Sequence, residues 1–336
     1  MARVACIDIG TVSTRLAVAD VVGGRVTRMI KQTEILNLGE GVDTSGMLSQ
    51  AAMERVFVCV RNYVSAARDA GAKVICCTLT SAARDASNAR ELGAALASLG
   101  LEPMVIPGEV EGSLTFLGVV QDFPGKRILV VDNGGGSTEL ALGQLNDDGL
   151  ELRFVDSVNV GCRRITERFL SAGDPPSADD MAAAHEFAAA ELAPDVARGG
   201  LWAAGTEQAR AYAPEVLAVC GGTVTSLVAI DLELVPYDPA RVHLAELTRE
   251  QVASLEERLS SLSLAERCEL PGLQAKRAPV IVGGTVIIHE LMRQTGFERL
   301  SASESDLLFG LAITAAAEVE GRESPVSWKP ALSPLI

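Results

Sequence analysis

Residues 128–142 read ILVVDNGGGSTELAL, and the prediction of the fold starts from this stretch. Its opening run of apolar residues, rich in Val and Ile, is typical of a buried strand. Three glycines, which have no side chains, follow the strand, and two residues with hydroxyl groups come next: Gly134, Gly135, Gly136, Ser137 and Thr138. Such a loop can bind an anion through its N–H groups. The flanking Asp132 and Glu139 could bind a divalent cation through oxygen. Taken alone, the same pattern also fits an ordinary β-hairpin.

A second copy of the pattern lies near the N-terminus, where residues 4–21 read VACIDIGTVSTRLAVADV. Both stretches share D-x-G-x-x-S-T-x-L-A between two apolar strands. The matching positions are Asp8 with Asp132, Gly10 with Gly134, Ser13 with Ser137 and Thr14 with Thr138. An offset of about 124 positions is far longer than the period of a solenoid, so the sequence predicts a duplicated domain.

Each copy predicts a β-hairpin whose turn can surround a phosphate group and whose first strand supplies one carboxylate. Two facing hairpins would hold one phosphate chain and one metal ion between them. Substrates commonly bind in clefts between domains, so we expect an interdomain cleft at this position.

Size and charge restrict the class of protein. The chain has 336 residues, of which 48% are hydrophobic, which is enough for two domains with their own cores. The net charge of −15 and the pI near 4.7 argue against nucleic acid or an anionic membrane as a partner. A local basic pocket and a divalent cation would still allow a polyanionic substrate.

The sequence also predicts a cytoplasmic protein. No apolar run reaches the ~20 residues of a membrane span, and the N-terminus is predicted as a strand rather than a signal peptide. The seven cysteines show no C-x-x-C spacing and mostly lie in apolar runs, which is typical of reduced, buried thiols.

Polar residues follow a predicted strand over residues 73–78. Ser81 and Arg84 lie where the carboxyl end of that strand meets a helix, a natural position for an anion. Arg84 is therefore a candidate phosphate ligand, although a surface arginine paired with Asp85 is the alternative. Further on, Glu109 and Glu111 open a helix, either as complements of its dipole or with one of them as a general base. Position alone does not distinguish these roles.

Two later segments combine a strand, glycines, a threonine and a helix. The strand over residues 216–219 leads into Gly221, Gly222 and Thr223, and residues 280–282 lead into Gly283, Gly284 and Thr285. Both are predicted as phosphate-facing loops. The long helix predicted from residue 178 to about 192 contains His185, for which we expect a surface or packing role rather than a ligand role.

These motifs together resemble the exopolyphosphatase / guanosine pentaphosphate phosphatase family, in its short two-domain form. The segments that carry the resemblance are DIGTVSTRL (8–16), TSAARDASN (80–88), PGEVEGSLTFLG (107–118), VDNGGGSTEL (131–140), CGGTVTSL (220–227) and VGGTVIIHELM (282–292). They follow the family's order from residue 4 to about 312. The family belongs to the actin-like superfamily, with sugar kinases, acetate kinase and the heat-shock chaperone ATPases.

The resemblance implies an α/β fold of two duplicated actin-like (ribonuclease H-like) domains. Each would contain a mixed five-stranded sheet flanked by helices, with a cleft between the domains. We expect domain I over residues 1–124 and about 301–318, and domain II over residues 125–300. Residues 319–336, rich in proline, are expected to form a loosely ordered tail. The family also implies a homodimer.

The resemblance further implies a role for each matched residue. Glu111 corresponds to the base that activates the attacking water. Asp8, Asp132 and Glu139 correspond to residues associated with Mg²⁺ or Mn²⁺. The implied phosphate-binding residues are Gly10, Thr11, Ser13, Arg15, Ser81, Arg84, Gly134, Gly135, Gly136, Ser137, Thr138, Gly221, Gly222 and Thr223.

The sequence departs from the family at several of these motifs. Val12 stands where the family usually has Asn, and Asn133 replaces an apolar residue. The family's E-E-A-R run is here Val110, Glu111, Gly112 and Ser113, and the two arginines of a late R-G-L-R-E-G motif are missing from residues 305–310. Fewer cationic groups should weaken the binding of a long polyanion.

The expected activity is hydrolysis of a phosphoanhydride. The protein would release terminal phosphate from inorganic polyphosphate, from guanosine pentaphosphate, or from both, by in-line attack of water. One alternative is a kinase or ATPase of the same superfamily, which would lack a glutamate at position 111. Another is a phosphonucleotide or polyphosphate sensor that hydrolyses its ligand weakly.

Overall fold

The computed structural model describes residues 1–335, which form two compact units. One unit contains Met1–Gln121 together with the described residues from Leu307 onward, and the other contains Asp122–Asp306. The sequence predicted these divisions after residue 124 and near residue 300.

The described residues form twelve strands and thirteen α-helices. The strands are β1 (Ala2–Ile9), β2 (Ser13–Val22), β3 (Arg25–Ile35), β4 (Val74–Leu79), β5 (Pro103–Val105), β6 (Ile128–Asn133), β7 (Thr138–Asn146), β8 (Gly149–Val158), β9 (Val216–Cys220), β10 (Glu246–Thr248), β11 (Arg299–Ser303) and β12 (Ser333–Pro334). The helices are α1 (Val42–Ser45), α2 (Gln50–Asp69), α3 (Ser81–Asp85), α4 (Ala89–Ala97), α5 (Gly108–Val119), α6 (Cys162–Ile165), α7 (Ala178–Gly199), α8 (Gly222–Asp231), α9 (Pro239–Val242), α10 (Arg249–Ser261), α11 (Leu264–Cys268), α12 (Ile281–Thr295) and α13 (Leu307–Val319).

The first unit contains a mixed sheet in which β3, β2, β1 and β4 lie side by side. The hairpin strands β1 and β2 are antiparallel, whereas β4 runs parallel to β1, and β5 runs parallel to β4. Every residue of β1 except Arg3 is buried, as expected for a central strand covered by helices on both faces.

The second unit repeats this arrangement. Strands β8, β7, β6, β9 and β11 occupy the positions of β3, β2, β1, β4 and β5, and β9 and β11 continue the parallel part of the sheet. The predicted α/β class with two duplicated, mixed sheets is confirmed.

Each sheet has six strands rather than the predicted five. In the first unit β12 is antiparallel to β4, and in the second β10 is antiparallel to β11. These edge strands contain two and three residues. Segments of that length are too short to show the alternation of apolar and polar residues by which strands are predicted.

Helix ends follow local capping chemistry. Ser49 accepts a hydrogen bond from the N–H of Ala52 and begins α2, and Ser177 forms a capping box with Asp180 at the start of α7. Helix α7 continues through Pro194 to Gly199, beyond its predicted end near residue 192.

The segment after α13 returns to the first sheet. The Ser333 hydroxyl accepts a hydrogen bond from the N–H of Glu102 at 2.8 Å, and the N–H of Leu335 donates to the carbonyl of Lys73. All seven cysteines are free thiols, and six of them are buried. Across the described residues, no helix is both long enough and apolar enough to cross a bilayer.

Helices α5 and α13 approach each other closely at a glycine. A Cβ atom at Gly310 would lie 1.8 Å from the carbonyl oxygen of Leu114. Only a residue without a side chain lets the two backbones pack at this separation. This contact helps to position α5, the helix that carries Glu111.

We expect Gly310→Ala to destabilise the protein by at least about 2 kcal/mol, because the added methyl group would force α13 away from α5. Gly93→Ala is the matched control, since Gly93 also lies inside a helix but has open space around its Cβ position. It should stabilise the protein by about 0.5–1 kcal/mol through helix propensity. Urea unfolding followed by circular dichroism measures both, and equal effects would contradict the packing argument.

Candidate active site

The first glycine loop closes the β1–β2 hairpin. The N–H of Gly10 donates to the carbonyl of Ser13 at 2.9 Å. Asp8 lies opposite Arg15 across the hairpin, and the Arg15 guanidinium donates two hydrogen bonds to Asp8 Oδ2, at 2.9 and 2.7 Å. The predicted metal residue Asp8 and the predicted phosphate residue Arg15 therefore form an ion pair.

Backbone N–H groups that follow β3 hold the first loop in place. Gly39 donates to the carbonyl of Thr11 at 2.9 Å, and Leu36 and Asn37 both donate to the carbonyl of Val12. A Cβ atom at Gly39 would lie 2.3 Å from the Thr11 side chain, so this approach requires glycine.

The second glycine loop closes the β6–β7 hairpin in the same way. The N–H of Gly134 donates to the carbonyl of Ser137 at 3.1 Å. The loop carbonyls accept hydrogen bonds from the residues that begin α6: Cys162 to Gly134 at 2.9 Å, Arg163 to Gly135 at 2.9 Å, and the Arg164 side chain to Gly136 at 2.9 Å.

Gly161 makes this contact possible, because a Cβ atom there would lie 2.4 Å from the Gly135 carbonyl. The carbonyl groups of the second glycine loop thus accept hydrogen bonds from residues of the same unit. Among the described residues, the N–H groups of Gly135 and Gly136 donate to no acceptor. Such N–H groups are suited to binding an anion.

The duplicated positions differ in charge. Asp132 faces Glu139 across β6 and β7, in the same register in which Asp8 faces Arg15. Asp132 is 8% exposed and Glu139 is 2% exposed, and the Ser157 hydroxyl donates to Glu139 Oε1 at 2.7 Å. Like charges directly opposite each other in a sheet are unfavourable, so this pair of carboxylates fits a cation.

The structure does not place the Thr138 hydroxyl at the loop surface. Thr138 is fully buried, and its hydroxyl donates to the carbonyl of Val160 at 2.6 Å. Thr14, the matching residue of the first loop, is also fully buried. These threonines belong to the interior of their sheets.

Arg84, which is partly buried, and Glu111, which is buried, form an ion pair. Arg84 Nη1 donates to Glu111 Oε2 at 2.6 Å and to the carbonyl of Ile106 at 3.0 Å. Arg84 lies on α3 and Glu111 on α5, and these helices follow the carboxyl ends of β4 and β5. These two hydrogen bonds of Arg84 go to Glu111 and Ile106 rather than to Asp85, the alternative partner considered from the sequence. Ser81 begins α3 and is buried.

The loop at residues 221–223 lies next to Asp132, because β9 pairs with β6 and places Cys220 opposite Asp132. A Cβ atom at Gly221 would lie 3.2 Å from Asp132 Oδ1, and Gly221 has a left-handed φ of +100°. At Gly222 a Cβ atom would lie 1.7 Å from the Arg277 guanidinium. Thr223 is buried at the start of α8.

Arg277 was missed by the sequence analysis. Its guanidinium covers Gly222 and brings a cationic group to a predicted phosphate loop. The signal in the sequence is weak, since Lys276 and Arg277 form an ordinary basic pair in a loop. Arg277 lies 55 positions after Gly222, so only the fold brings the two together.

The prediction of a strand and a phosphate loop at residues 280–285 is wrong. Helix α12 already begins at Ile281, and Gly283 and Gly284 lie inside it. A Cβ atom at Gly283 would lie 2.5 Å from the carbonyl oxygen of Cys162, and one at Gly284 would lie 2.2 Å from the Thr223 hydroxyl. These glycines allow α12 to pack closely on its neighbours, and the apolar run was misread because short buried strands and helices share that pattern.

The structure groups the remaining candidates by unit. At the carboxyl ends of the central strands, the first unit contains Asp8, Gly10, Thr11, Ser13, Arg15, Ser81, Arg84 and Glu111. The corresponding end of the second unit contains Asp132, Gly134, Gly135, Gly136, Ser137, Glu139, Gly221, Gly222 and Thr223. Ligands commonly bind at this edge of open α/β sheets.

Comparisons with known proteins agree with this arrangement. Exopolyphosphatase 2 of Mycobacterium tuberculosis is 33% identical to this chain over 334 residues, which covers 94% of this chain and 99% of the relative. Exopolyphosphatase 1 of Mycobacterium bovis is 28% identical over 316 residues, covering 93% and 87%.

A solved structure of the Aquifex aeolicus member of the Ppx/GppA family matches with a TM-score of 0.76 at 28% identity, covering 96% of this chain and 99% of that one. The likeness confirms the predicted architecture of two actin-like domains. A model of the Ppx/GppA phosphatase family matches residues 17–311. The chain therefore belongs to the Ppx/GppA phosphatase family.

Proposed function

We propose that this protein is a phosphoanhydride hydrolase that releases terminal phosphate from inorganic polyphosphate. The observation that carries the proposal is the ion pair of the buried Glu111 with the partly buried Arg84, on the helices that follow β4 and β5. The pair brings a carboxylate and a guanidinium together at the edge of the sheet at which open α/β proteins commonly bind ligands. The names of the two mycobacterial relatives support polyphosphate as the substrate.

The glycine loops would bind the phosphate oxygens. In the second unit, the N–H groups of Gly135 and Gly136 are available as donors, and Arg277 adds a positive charge at Gly222. Donors that are already fixed in place stabilise the charge that develops on phosphoryl oxygens without further reorganisation.

Glu111 would act as the general base. It accepts a charge-assisted hydrogen bond from Arg84, which holds the carboxylate in a single orientation. A substrate phosphate that attracts the Arg84 guanidinium would leave Oε2 available to a water molecule. That water loses a proton to Glu111 and attacks phosphorus, the bridging P–O bond breaks, and the products are orthophosphate and a chain shorter by one phosphate.

Asp132 and Glu139 would hold the divalent metal, Mg²⁺ or Mn²⁺. Two buried carboxylates that face each other across a hairpin fit a hard cation with oxygen ligands. When bound, the ion would neutralise charge on the phosphoryl group. Asp8 fits this role less well, because Arg15 already occupies its Oδ2.

The same chemistry would release phosphate from guanosine pentaphosphate, which we include as a second substrate. We also propose that the protein acts in the cytoplasm as a homodimer. The seven free thiols support a reducing compartment, and the dimer is an expectation from the family.

We expect Glu111→Gln to lower kcat for phosphate release from polyphosphate by about 10²–10⁴-fold, because the amide does not accept the proton of the water. Glu109→Gln is the matched control, since Glu109 lies on the same first turn of α5 but is exposed. Steady-state phosphate release, with polyphosphate and with guanosine pentaphosphate, measures both variants. Equal activity of the two variants would remove Glu111 from the role of base, and an inactive wild type would indicate a sensor.

We expect Asp132→Asn and Glu139→Gln to raise the Mg²⁺ concentration for half-maximal activity by about tenfold or more, because each removes a charged oxygen ligand. Asp147→Asn, in the exposed turn between β7 and β8, should leave this concentration unchanged. A Mg²⁺ titration of phosphate release after chelation measures the shift. If all three variants matched the wild type, the metal would not lie at this pair.

We expect Arg277→Gln to raise the KM for polyphosphate by about tenfold, because it removes a cation beside the loop at residues 221–223. Arg299→Gln is the control, since Arg299 is exposed and forms an ion pair with Glu246. Both are measured by phosphate release over a range of polyphosphate concentrations. An unchanged KM in Arg277→Gln would show that this guanidinium does not contact the substrate.

A further inference from the structure

Three helices of the second unit bring together a cluster of histidine and glutamate side chains. His185 lies on α7, Glu256 on α10 and His289 on α12. His185 Nε2 lies 2.8 Å from Glu256 Oε1, and His289 Nδ1 lies 3.1 Å from Glu256 Oε2. One carboxylate thus faces two imidazoles, one with each of its oxygens.

The geometry fits a metal ion. One possible ligand atom from each of the three residues lies within 4.8 Å of the other two. In a tetrahedral zinc site with bonds of about 2.0–2.1 Å, neighbouring ligand atoms are about 3.3 Å apart. Small side-chain movements would therefore create such a site. The side chains of His185, Glu256 and His289 are 25%, 11% and 24% exposed, which leaves access from solvent.

A further carboxylate supports the ligand role of His185. Glu290 Oε1 lies 2.9 Å from His185 Nδ1, and Arg293 donates two hydrogen bonds to Glu290 Oε2, at 3.0 and 2.8 Å. In metal sites a carboxylate typically binds the second ring nitrogen of a ligating histidine and fixes the orientation of the ring. Glu290 holds His185 in this way, with Nε2 directed at Glu256.

We propose that His185, Glu256 and His289 bind a transition-metal ion of the Zn²⁺ type. Two imidazole nitrogens and one carboxylate oxygen match zinc rather than Mg²⁺, which prefers oxygen ligands alone. This site differs from the proposed Mg²⁺ pair of Asp132 and Glu139. It also gives His185 a ligand role, where the sequence analysis expected only surface or packing contacts.

Without metal, the imidazoles and carboxylates of the cluster are held by hydrogen bonds to each other. Hydrogen bonds to Glu256 and Glu290 outweigh the effect of burial and raise the pKa of His185 to about 9. Burial opposes ionisation of Glu256, but the hydrogen bonds from His185 and His289 outweigh it and lower its pKa. Arg293 and His185 lower the pKa of Glu290 against burial in the same way. Zinc would take the place of the hydrogen bonds that join His185 and His289 to Glu256.

The site lies on the helix that supports the loop at residues 221–223. Gly284 packs against Thr223, and His289 follows five residues later, about 7.5 Å further along α12. A metal bound between α7, α10 and α12 would fix the helix on which that loop packs. The inference itself depends only on the cluster and does not require the proposed phosphatase activity.

The test is zinc binding by the full chain after removal of metals with a chelator. Titration with ZnCl₂ against a chromophoric chelator should show one equivalent bound in the wild type. His289→Gln, which removes a partly exposed ligand, should weaken binding by about 100-fold, and Glu290→Gln should weaken it by about 10–100-fold, because it removes only the orienting group. Glu256→Gln should abolish binding.

Two variants control for adventitious binding. His243→Gln removes the remaining histidine of the chain, which lies near Asp122, and Cys268→Ser removes the thiol that is partly exposed. Both should bind zinc as the wild type does. Circular dichroism checks that every variant is folded.

A second readout separates ligation from packing. Zinc should raise the melting temperature of the wild type, and His289→Gln should need about 100-fold more zinc for the same rise. Failure of the wild type to bind zinc, or binding that is equal in wild type and His289→Gln, would overturn the proposal.

Discussion

The arrangement of both glycine loops depends on the hydrogen bonds that their carbonyl groups accept. In each unit, backbone N–H groups of the segment after the third strand bind the loop carbonyls, and a glycine without a side chain permits the approach: Gly39 in the first unit and Gly161 in the second. Once the carbonyls are satisfied within the unit, the N–H groups of Gly135 and Gly136 remain for a ligand. The same backbone contact thus supports the hairpin and prepares an anion-binding surface.

The two hairpins share the register of their strands but differ in the side chains at matching positions. In one copy the cross-strand pair is Asp8 with Arg15, whose opposite charges neutralise each other within the hairpin. In the other copy the pair is Asp132 with Glu139, which leaves two buried carboxylates close together. Because two like charges directly opposite each other in a sheet repel, the second pair is better suited to binding a cation than the first. The symmetry of the fold therefore does not extend to the proposed metal site.

The sequence predicted the parts of the fold that depend on local patterns. Both glycine loops and the duplication could be recognised because each is a contiguous run with a strand on either side. The edge strands β10 and β12 could not, since two or three residues carry no periodicity. The same limit explains residues 280–285, where glycines that serve helix packing resembled a phosphate loop.

Side-chain partners were less predictable than backbone elements. Arg84 and Glu111 were each identified, but not as an ion pair, because their contact depends on how α3 and α5 follow neighbouring strands. Arg277 and the cluster of His185, Glu256 and His289 depend on contacts between residues tens of positions apart. No local pattern in a single sequence reports such contacts.

The departures from the family's motifs occur where the backbone or a distant partner determines the geometry. Val12 replaces a polar residue, yet its carbonyl still accepts hydrogen bonds from Leu36 and Asn37, so the loop keeps its fixed conformation. Ser113 replaces a basic residue, and its hydroxyl donates to the carbonyl of Glu109 within α5. Glu111 is oriented by Arg84 from another helix, so changes at its neighbours leave its position intact. Ser113 and the residues at 305–310 lack the positive charge of the family's arginines, whereas Val12 lacks only a neutral polar side chain. The loss of positive charge should therefore affect how strongly a polyanion is bound more than how Glu111 is held.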